Sequence, residues 1–145
     1  MNRKTILLTV VPAGIGAVGI TYYVMLMRQK RITVKVSPTD TTLCQTTQTV
    51  TVTAKNGLGK PIANAPGTLS FYIGGQKDGP DVTFTTDANG AWSVSLCWQS
   101  SGTGTVTTTE YYPISYVATI QGATGTGTGR IVVPAGTVLP CNCPG

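Results

Sequence analysis

Hydrophobic and polar residues follow two different rules along this chain. Ile6 to Met27 reads ILLTVVPAGIGAVGITYYVMLM, a continuous apolar run without a charged residue. From Ile32 onward, apolar and polar positions alternate instead. Ile32, Val34 and Val36 are interleaved with Thr33 and Lys35, and Val50, Val52 and Ala54 with Thr49, Thr51, Thr53 and Lys55. Leu69, Phe71 and Ile73 form another such face, as do Val82, Phe84 and Thr86. The most hydrophobic strand has Trp92, Val94, Leu96 and Trp98 on one side and Ser93, Ser95 and Cys97 on the other. A Thr-rich strand near Thr105–Tyr111 ends at a break at Pro113, and Ile114, Tyr116, Ala118 and Ile120 alternate after it. A period of two is the signature of half-buried strands.

Turn chemistry separates these runs. Ser37-Pro38-Thr39-Asp40, Asn56-Gly57-Leu58-Gly59-Lys60-Pro61 and Gly74–Pro80 read as turns or loops. Asp87-Ala88-Asn89-Gly90 predicts a tight hairpin, because Asn-Gly tolerates positive φ. Ser100–Gly104 reads as a loop, Gly122–Gly129 as a flexible or flat Gly/Thr run, and Arg130–Val133 as a closing strand. About seven to nine short strands, with turns every 8–12 residues or so and no helical periodicity, predict a single antiparallel β-sandwich.

The apolar run predicts a helix. About 22 residues at about 1.5 Å each reach roughly 33 Å, enough to cross the hydrocarbon core of a bilayer. Tyr22 and Tyr23 suit an interface, and Pro12 would kink the helix mildly. A secretory signal has a shorter apolar region and a small-residue cleavage site. Met25-Leu26-Met27-Arg28 offers no such site, so an uncleaved signal-anchor is favoured, with a cut after Ala17 as the rival reading. Ala13 and Ala17 have the spacing that lets two spanning helices approach. Basic residues flank both ends, so orientation is not fixed by charge. The expected organisation is an anchor with basic flanks over 1–31, a β-sandwich over 32–133, and a Pro/Cys tail over 134–145 pinned to that domain.

Charge sharpens this division. The chain carries a formal +5, but Arg3, Lys4, Arg28, Lys30, Arg31 and Lys35 all precede the sandwich or open it, with no acid among them. The remainder sets Lys55, Lys60, Lys77 and Arg130 against Asp40, Asp78, Asp81, Asp87 and Glu110, which is nearly neutral. The basic excess therefore suits lipid headgroups, and no basic stripe with interleaved aromatics points to nucleic acid. Only 10% of residues are charged, against about 25% in an ordinary soluble domain. A Thr- and Gly-covered surface lacks the charges that keep sheet edges apart, which suits packing against copies of itself or a coat of glycan. No N-x-[ST] sequon occurs, so a glycan would sit on Thr or Ser.

Four cysteines, Cys44, Cys97, Cys141 and Cys143, allow three pairings. Cys141-Asn142-Cys143 is too tight to close on itself, so each is expected to reach a different partner, Cys44 or Cys97. A zinc site would favour C-x-x-C knuckles, and this chain has one C-x-C and no histidine. Disulfides imply an oxidising exterior.

Val50-Thr51-Val52-Thr53-Ala54-Lys55-Asn56-Gly57-Leu58-Gly59-Lys60-Pro61-Ile62-Ala63-Asn64-Ala65 resembles the opening of bacterial Ig-like repeats of the invasin/intimin type, V-x-V-x-A-x-D/N-x-x-G-x-P-[IV]-x-[GN]-A. Thr85-Thr86-Asp87-Ala88-Asn89-Gly90 is similar to their T-T-D-x-x-G turn. The resemblance covers roughly Ile32 to Val133 and implies an Ig-like sandwich in surface adhesins and other envelope proteins, without catalysis. Transthyretin-like and carboxypeptidase-regulatory-like domains share the turn. This chain departs from the family in its single domain, its four cysteines and its Cys-x-Cys tail.

The chemistry expected is correspondingly sparse. Without histidine, His-based acid–base catalysis and triads are excluded. No catalytic, cofactor-binding or metal-binding residues are assigned, and Asp78 and Asp81 are two carboxylates without a calcium-loop spacing. Trp92 and Trp98 are expected in the core, with ligand stacking by Trp98 as the lesser reading. The expected function is a membrane-anchored structural protein of a cell surface or virion envelope, with its β-domain outside and copies of itself as partners. The alternative is a surface-displayed module contacting a host, a glycan or an envelope protein. Its contacts would come from the Gly74–Pro80 and Ser100–Gly104 loops and from Tyr111 and Tyr112.

Overall fold

The structure, a computed structural model, describes the backbone of residues 6–12 and the whole of residues 29–144. Among these residues lie eleven strands: β1 (Ile6–Pro12), β2 (Lys30–Ser37), β3 (Asp40–Thr42), β4 (Gln48–Asn56), β5 (Pro66–Ile73), β6 (Gln76–Lys77), β7 (Val82–Thr85), β8 (Ala91–Thr105), β9 (Glu110–Ile120), β10 (Ala123–Val133) and β11 (Val138–Cys141). One sheet has the order β1-β8-β4-β2, with β11 also on β8; the other has the order β3-β10-β9-β5-β6, with β7 on β5. The fold is an Ig-like β-sandwich.

The alternating positions build its core. Val50, Val52, Leu96 and Trp98 of one sheet and Leu69, Phe71, Ile114, Tyr116, Ile120 and Ile131 of the other are all buried. Phe71 meets Trp98 and Tyr116 edge-on, with ring centroids 5.9 and 5.8 Å away. Each large apolar side chain buried in this way contributes about 1.5–3 kcal/mol relative to exposure.

Several expectations are corrected. The sandwich is not wholly antiparallel, since β3 runs parallel to β10. Its eleven strands exceed the expected seven to nine because short edge pieces, such as β6 and β11, form against longer strands. Ser100–Gly104 is not a loop but the far end of β8, held by β11 through Val138↔Thr105 and Leu139↔Gly104. Pro113 lies inside β9, opposite Arg130, and does not end the strand. The Asp87–Gly90 turn is tight, with Gly90 N–H donating to Asp87 O at 3.0 Å. It is not a hairpin, because β7 pairs with β5 in one sheet and β8 with β4 in the other. The turn carries the chain between the two layers.

The Gly122–Gly129 run is mostly regular strand, and its glycines have a packing reason. Gly127 is buried in β10 beneath β2, where a Cβ would lie 2.7 Å from both Val34 Cγ1 and Val34 O. Thr124, Thr126 and Thr128 alternate with it on the exposed face. Glycine on the inner face lets β10 and β2 close that side of the sandwich.

The predicted spanning helix meets a direct difference. Ile6–Pro12 is a β-strand, antiparallel to β8 in a register running from Ile6↔Ser100 to Pro12↔Val94. Ile6, Thr9, Val10 and Val11 are β-branched and favour strands where a sheet edge is open to them. The remainder of the expected helix, residues 13–27, lies outside the described residues. Among the described residues, no helix is long and apolar enough to cross a membrane.

Candidate functional site

Two places on the sandwich present more than an ordinary strand surface: an aromatic–ionic cluster on the outer face of the β9–β10–β3 sheet, and the edge of β8. In the first, neighbouring strands bring together residues far apart in sequence. Tyr111 is 55% exposed, enough to contact a partner. The Arg130 guanidinium lies 4.4 Å from its ring centroid, within the range of a cation–π contact. Arg130 also holds Asp40 in a forked pair, Nε to Oδ1 at 3.1 Å and Nη2 to Oδ2 at 2.7 Å. That hydrogen bond, aided by the charge of Arg130, draws the Asp40 carboxyl below its usual range.

Tyr112, the other aromatic candidate, is partly buried and packs against the core. Its hydroxyl donates to the Glu110 carboxylate. Burial first, and then that carboxylate, push its phenol up to about 12. The structure thus separates the two tyrosines, because adjacent strand residues face opposite sides of a sheet. Arg130 and Asp40 escaped sequence reasoning. They lie 90 residues apart, and only the parallel pairing of β3 with β10 makes them neighbours.

The remaining candidates settle into structural roles. Trp98 is fully buried, so it cannot stack on a ligand at the surface. Trp92 is half-buried and stacks on Phe84 at 4.5 Å, beside a shallow open groove along Gly67, Thr68 and Thr83. Asp81 pairs with Lys77 at 2.9 Å and accepts from Ser70 at 2.8 Å. Asp78 is raised by partial burial. Among the described residues, no cluster of His, Cys, Asp or Glu suits a metal ion. Gly74–Pro80 remains an exposed turn around β6.

Cys44 bonds to Cys141 and Cys97 to Cys143. Neighbouring cysteines of the tail therefore reach two different places, the approach to β4 and the middle of β8. Cys44 N–H also donates to Trp98 O at 2.7 Å, so the tail, β8 and the loop before β4 form one unit.

The motif around Asn56 and Asp87 proves to be backbone architecture. Asn56 Oδ1 accepts from Leu58 N at 2.9 Å and Lys60 N at 3.1 Å, and Asp87 Oδ1 accepts from Asn89 N at 2.8 Å and Ala91 N at 3.0 Å. Thr86 Oγ1 joins the two halves, donating to Ile62 O at 2.8 Å and accepting from Ala65 N at 2.9 Å. Gly90 has φ +71°, and a Cβ there would stand 2.5 Å from Ala54 O. The motif welds two turns together and supplies no reactive group.

The second place is the β8 edge. On one side β8 pairs with β4 over residues 91–96 and with β11 over 100–105; on the other it pairs with β1 over 94–100. In an Ig-like sandwich the strand order A-B-E-D describes one sheet. Here β2, β4 and β8 take the first three places, and β1 occupies the fourth.

No protein-family model matches this sequence, and no curated protein matches it. Among solved structures, the crystal structure of the periplasmic chaperone SfaE aligns at 11% identity with a TM-score of 0.46, covering 73% of this chain and 58% of that one. The sandwich assignment rests on the two sheets themselves.

Proposed function

We propose that this is a non-enzymatic structural protein of a cell surface or virion envelope, anchored in a membrane through Ile6–Met27, whose Ig-like domain packs against copies of itself in a layer or filament. The observation that carries the reading is the outer surface. Thr124, Thr126 and Thr128 stand exposed in a row on β10, where charged residues would ordinarily discourage sheet-to-sheet contact. Two disulfides clamp the tail, as suits an oxidising exterior. The apolar stretch serves twice in this reading: as a helix across the bilayer before assembly, and with Ile6–Pro12 as an edge strand afterwards.

Electron microscopy of the native membrane fraction, with an antibody against the β-domain, tests the proposal. Label on regular arrays, fibres or particles supports it, and scattered single label on plain membrane refutes it. The second reading is a binding module of the invasin/intimin type, displayed to meet a host, a glycan or an envelope protein. The exposed Tyr111 beside Arg130 favours it, because hot spots are enriched in Tyr and Arg. Unchanged surface binding by Tyr111→Ala would remove that reading's only anchor.

A further inference from the structure

We propose that Ile6–Pro12 is an exchangeable strand that completes the β8 edge of a second copy of this chain, linking copies head to tail. The inference rests on the self-assembly reading above and names the contact that would carry it.

The first observation is that the domain from β2 to β11 supplies no strand of its own for this edge. Its remaining candidate by order, β7, pairs with β5 in the opposite sheet. Without β1, the backbone of residues 94–100 would lose its ladder partner on that side, along a stretch that carries Val94, Leu96 and Trp98, each at most 1% exposed. An open strand edge beside core residues is a template for another strand.

The second observation is the register. Ile6↔Ser100, Leu8↔Trp98, Val10↔Leu96 and Pro12↔Val94 are direct partners, and residues opposite one another in a ladder share a face of the sheet. Leu8 and Val10 therefore take register positions on the core face. Leu7 and Val11, opposite Gln99 and Ser95, take positions on the outer face and are apolar as well. A strand apolar on both faces suits a place covered on both sides, as a contact between packed copies provides.

The third observation is connectivity. β1 and β2 sit at opposite edges of their sheet, about 14 Å apart at the usual strand spacing of about 4.8 Å. Residues 13–28 separate β1 from Gln29, and at about 3.3 Å per residue their contour far exceeds that width. The same length of chain allows the β8 edge of an adjacent copy to be reached. Donating to one neighbour and accepting from another is a heterologous contact, which builds open filaments when it does not close into a ring.

Cysteine trapping tests the exchange in the full-length chain, purified from membranes in mild detergent and concentrated. The four native cysteines are all paired, so new ones report cleanly. Val11 and Ser95 are register partners. Chains carrying V11C alone and S95C alone are mixed, oxidised and run on a non-reducing gel. The expected result is a disulfide-linked heterodimer from the mixture, and a ladder of multimers from the V11C/S95C double variant. Leu8→Asp added to the V11C partner should abolish the heterodimer.

A double variant that cross-links only within one chain, with no product from the mixture, overturns the proposal by showing that the strand stays at home. Absence of any V11C–S95C bond overturns it by removing the strand from β8. In either case, arrays persisting in the microscope leave the self-assembly reading standing with a different contact, so the two failures are distinguishable.

Discussion

Replacing Tyr116 with phenylalanine removes one oxygen from the centre of the sandwich and keeps the ring. That oxygen accepts from Trp98 Nε1 at 3.3 Å and donates to Gln48 Oε1. Gln48 in turn donates through Nε2 to Pro38 O at 2.9 Å and Thr39 O at 2.8 Å. Trp98, Tyr116 and Gln48 are each 0% exposed, so no water replaces a lost partner. Tyr116→Phe therefore strands a buried donor and a buried acceptor at once. At about 1–3 kcal/mol for each orphaned group, the expected cost is about 2–6 kcal/mol. The edge-on contact with Phe71, at 5.8 Å between centroids, survives, so packing loss adds little. For a domain of this size about 4 °C of melting temperature accompanies each kcal/mol, which predicts a fall of about 8–24 °C. Circular-dichroism melts under non-reducing conditions, with urea titration for the free energy, measure it. The Gln48→Leu/Tyr116→Phe double variant should cost less than the sum of the two single variants, because both break the same bond. A Tyr116→Phe melt within about 2 °C of wild type would refute the account of these three residues as a closed hydrogen-bond chain.

Further outcomes follow from the same geometry. Burial raises the Tyr116 phenol above its ordinary 10.0, so the unfolded chain surrenders that proton first. The stability it contributes is complete below pH 10 and falls above it by up to about 1.4 kcal/mol per pH unit; alkaline melts should show this slope, and Tyr116→Phe should reduce it, leaving the share of Tyr112, whose phenol is also raised. Gly127→Ala places a methyl 2.7 Å from Val34 O and should cost about 1–3 kcal/mol, whereas Thr126→Ala on the exposed side of β10 should stay within about 0.5 kcal/mol in the same urea titration. Removing the Cys44–Cys141 bond, which spans 97 residues of sequence, should cost about 4–5 kcal/mol as a double alanine variant. Removing Cys97–Cys143, which spans 46, should cost about 4 kcal/mol, and a loss below about 1 kcal/mol for either would show that the tail does not constrain the unfolded chain.

What was legible in the sequence is what local period dictates. Val50-Val52-Ala54 and Val94-Leu96-Trp98 announce their inner faces because a strand presents alternate residues to one side, and these are the residues buried here. Asn56 and Asp87 announce turns because their short carboxamide and carboxylate groups can hold nearby amides. Layer assignment was not legible. Asp87–Gly90 has the composition of a hairpin, and nothing local reveals that β7 and β8 belong to different sheets. Pro113 looks like a break, but proline is tolerated in a strand where its missing N–H is not needed by the ladder. Tyr111 stood out as an aromatic, whereas Arg130 and Asp40 did not, since their partnership exists only through the β3–β10 pairing.

Ile6–Met27 tests the limits of periodicity most sharply. A continuous apolar run is the pattern both of a spanning helix and of a strand covered on two faces, and length is the usual arbiter between them. Length alone favours the helix here, but the run is not uniform. Ile6–Pro12 is rich in branched residues and ends in proline, whereas residues 13–19 hold three glycines and two alanines. The first segment can satisfy its amides in either of two ways: within a helix in lipid, or against the exposed edge of β8. Both environments bury the same apolar side chains, so the choice turns on where the backbone finds its hydrogen bonds. In lipid only the helix satisfies them; beside β8 the ladder does. If the proposed membrane anchoring holds, a segment with these two satisfied states would link membrane residence to sheet completion, and the availability of an unfilled β8 edge would be the physical variable that decides between them.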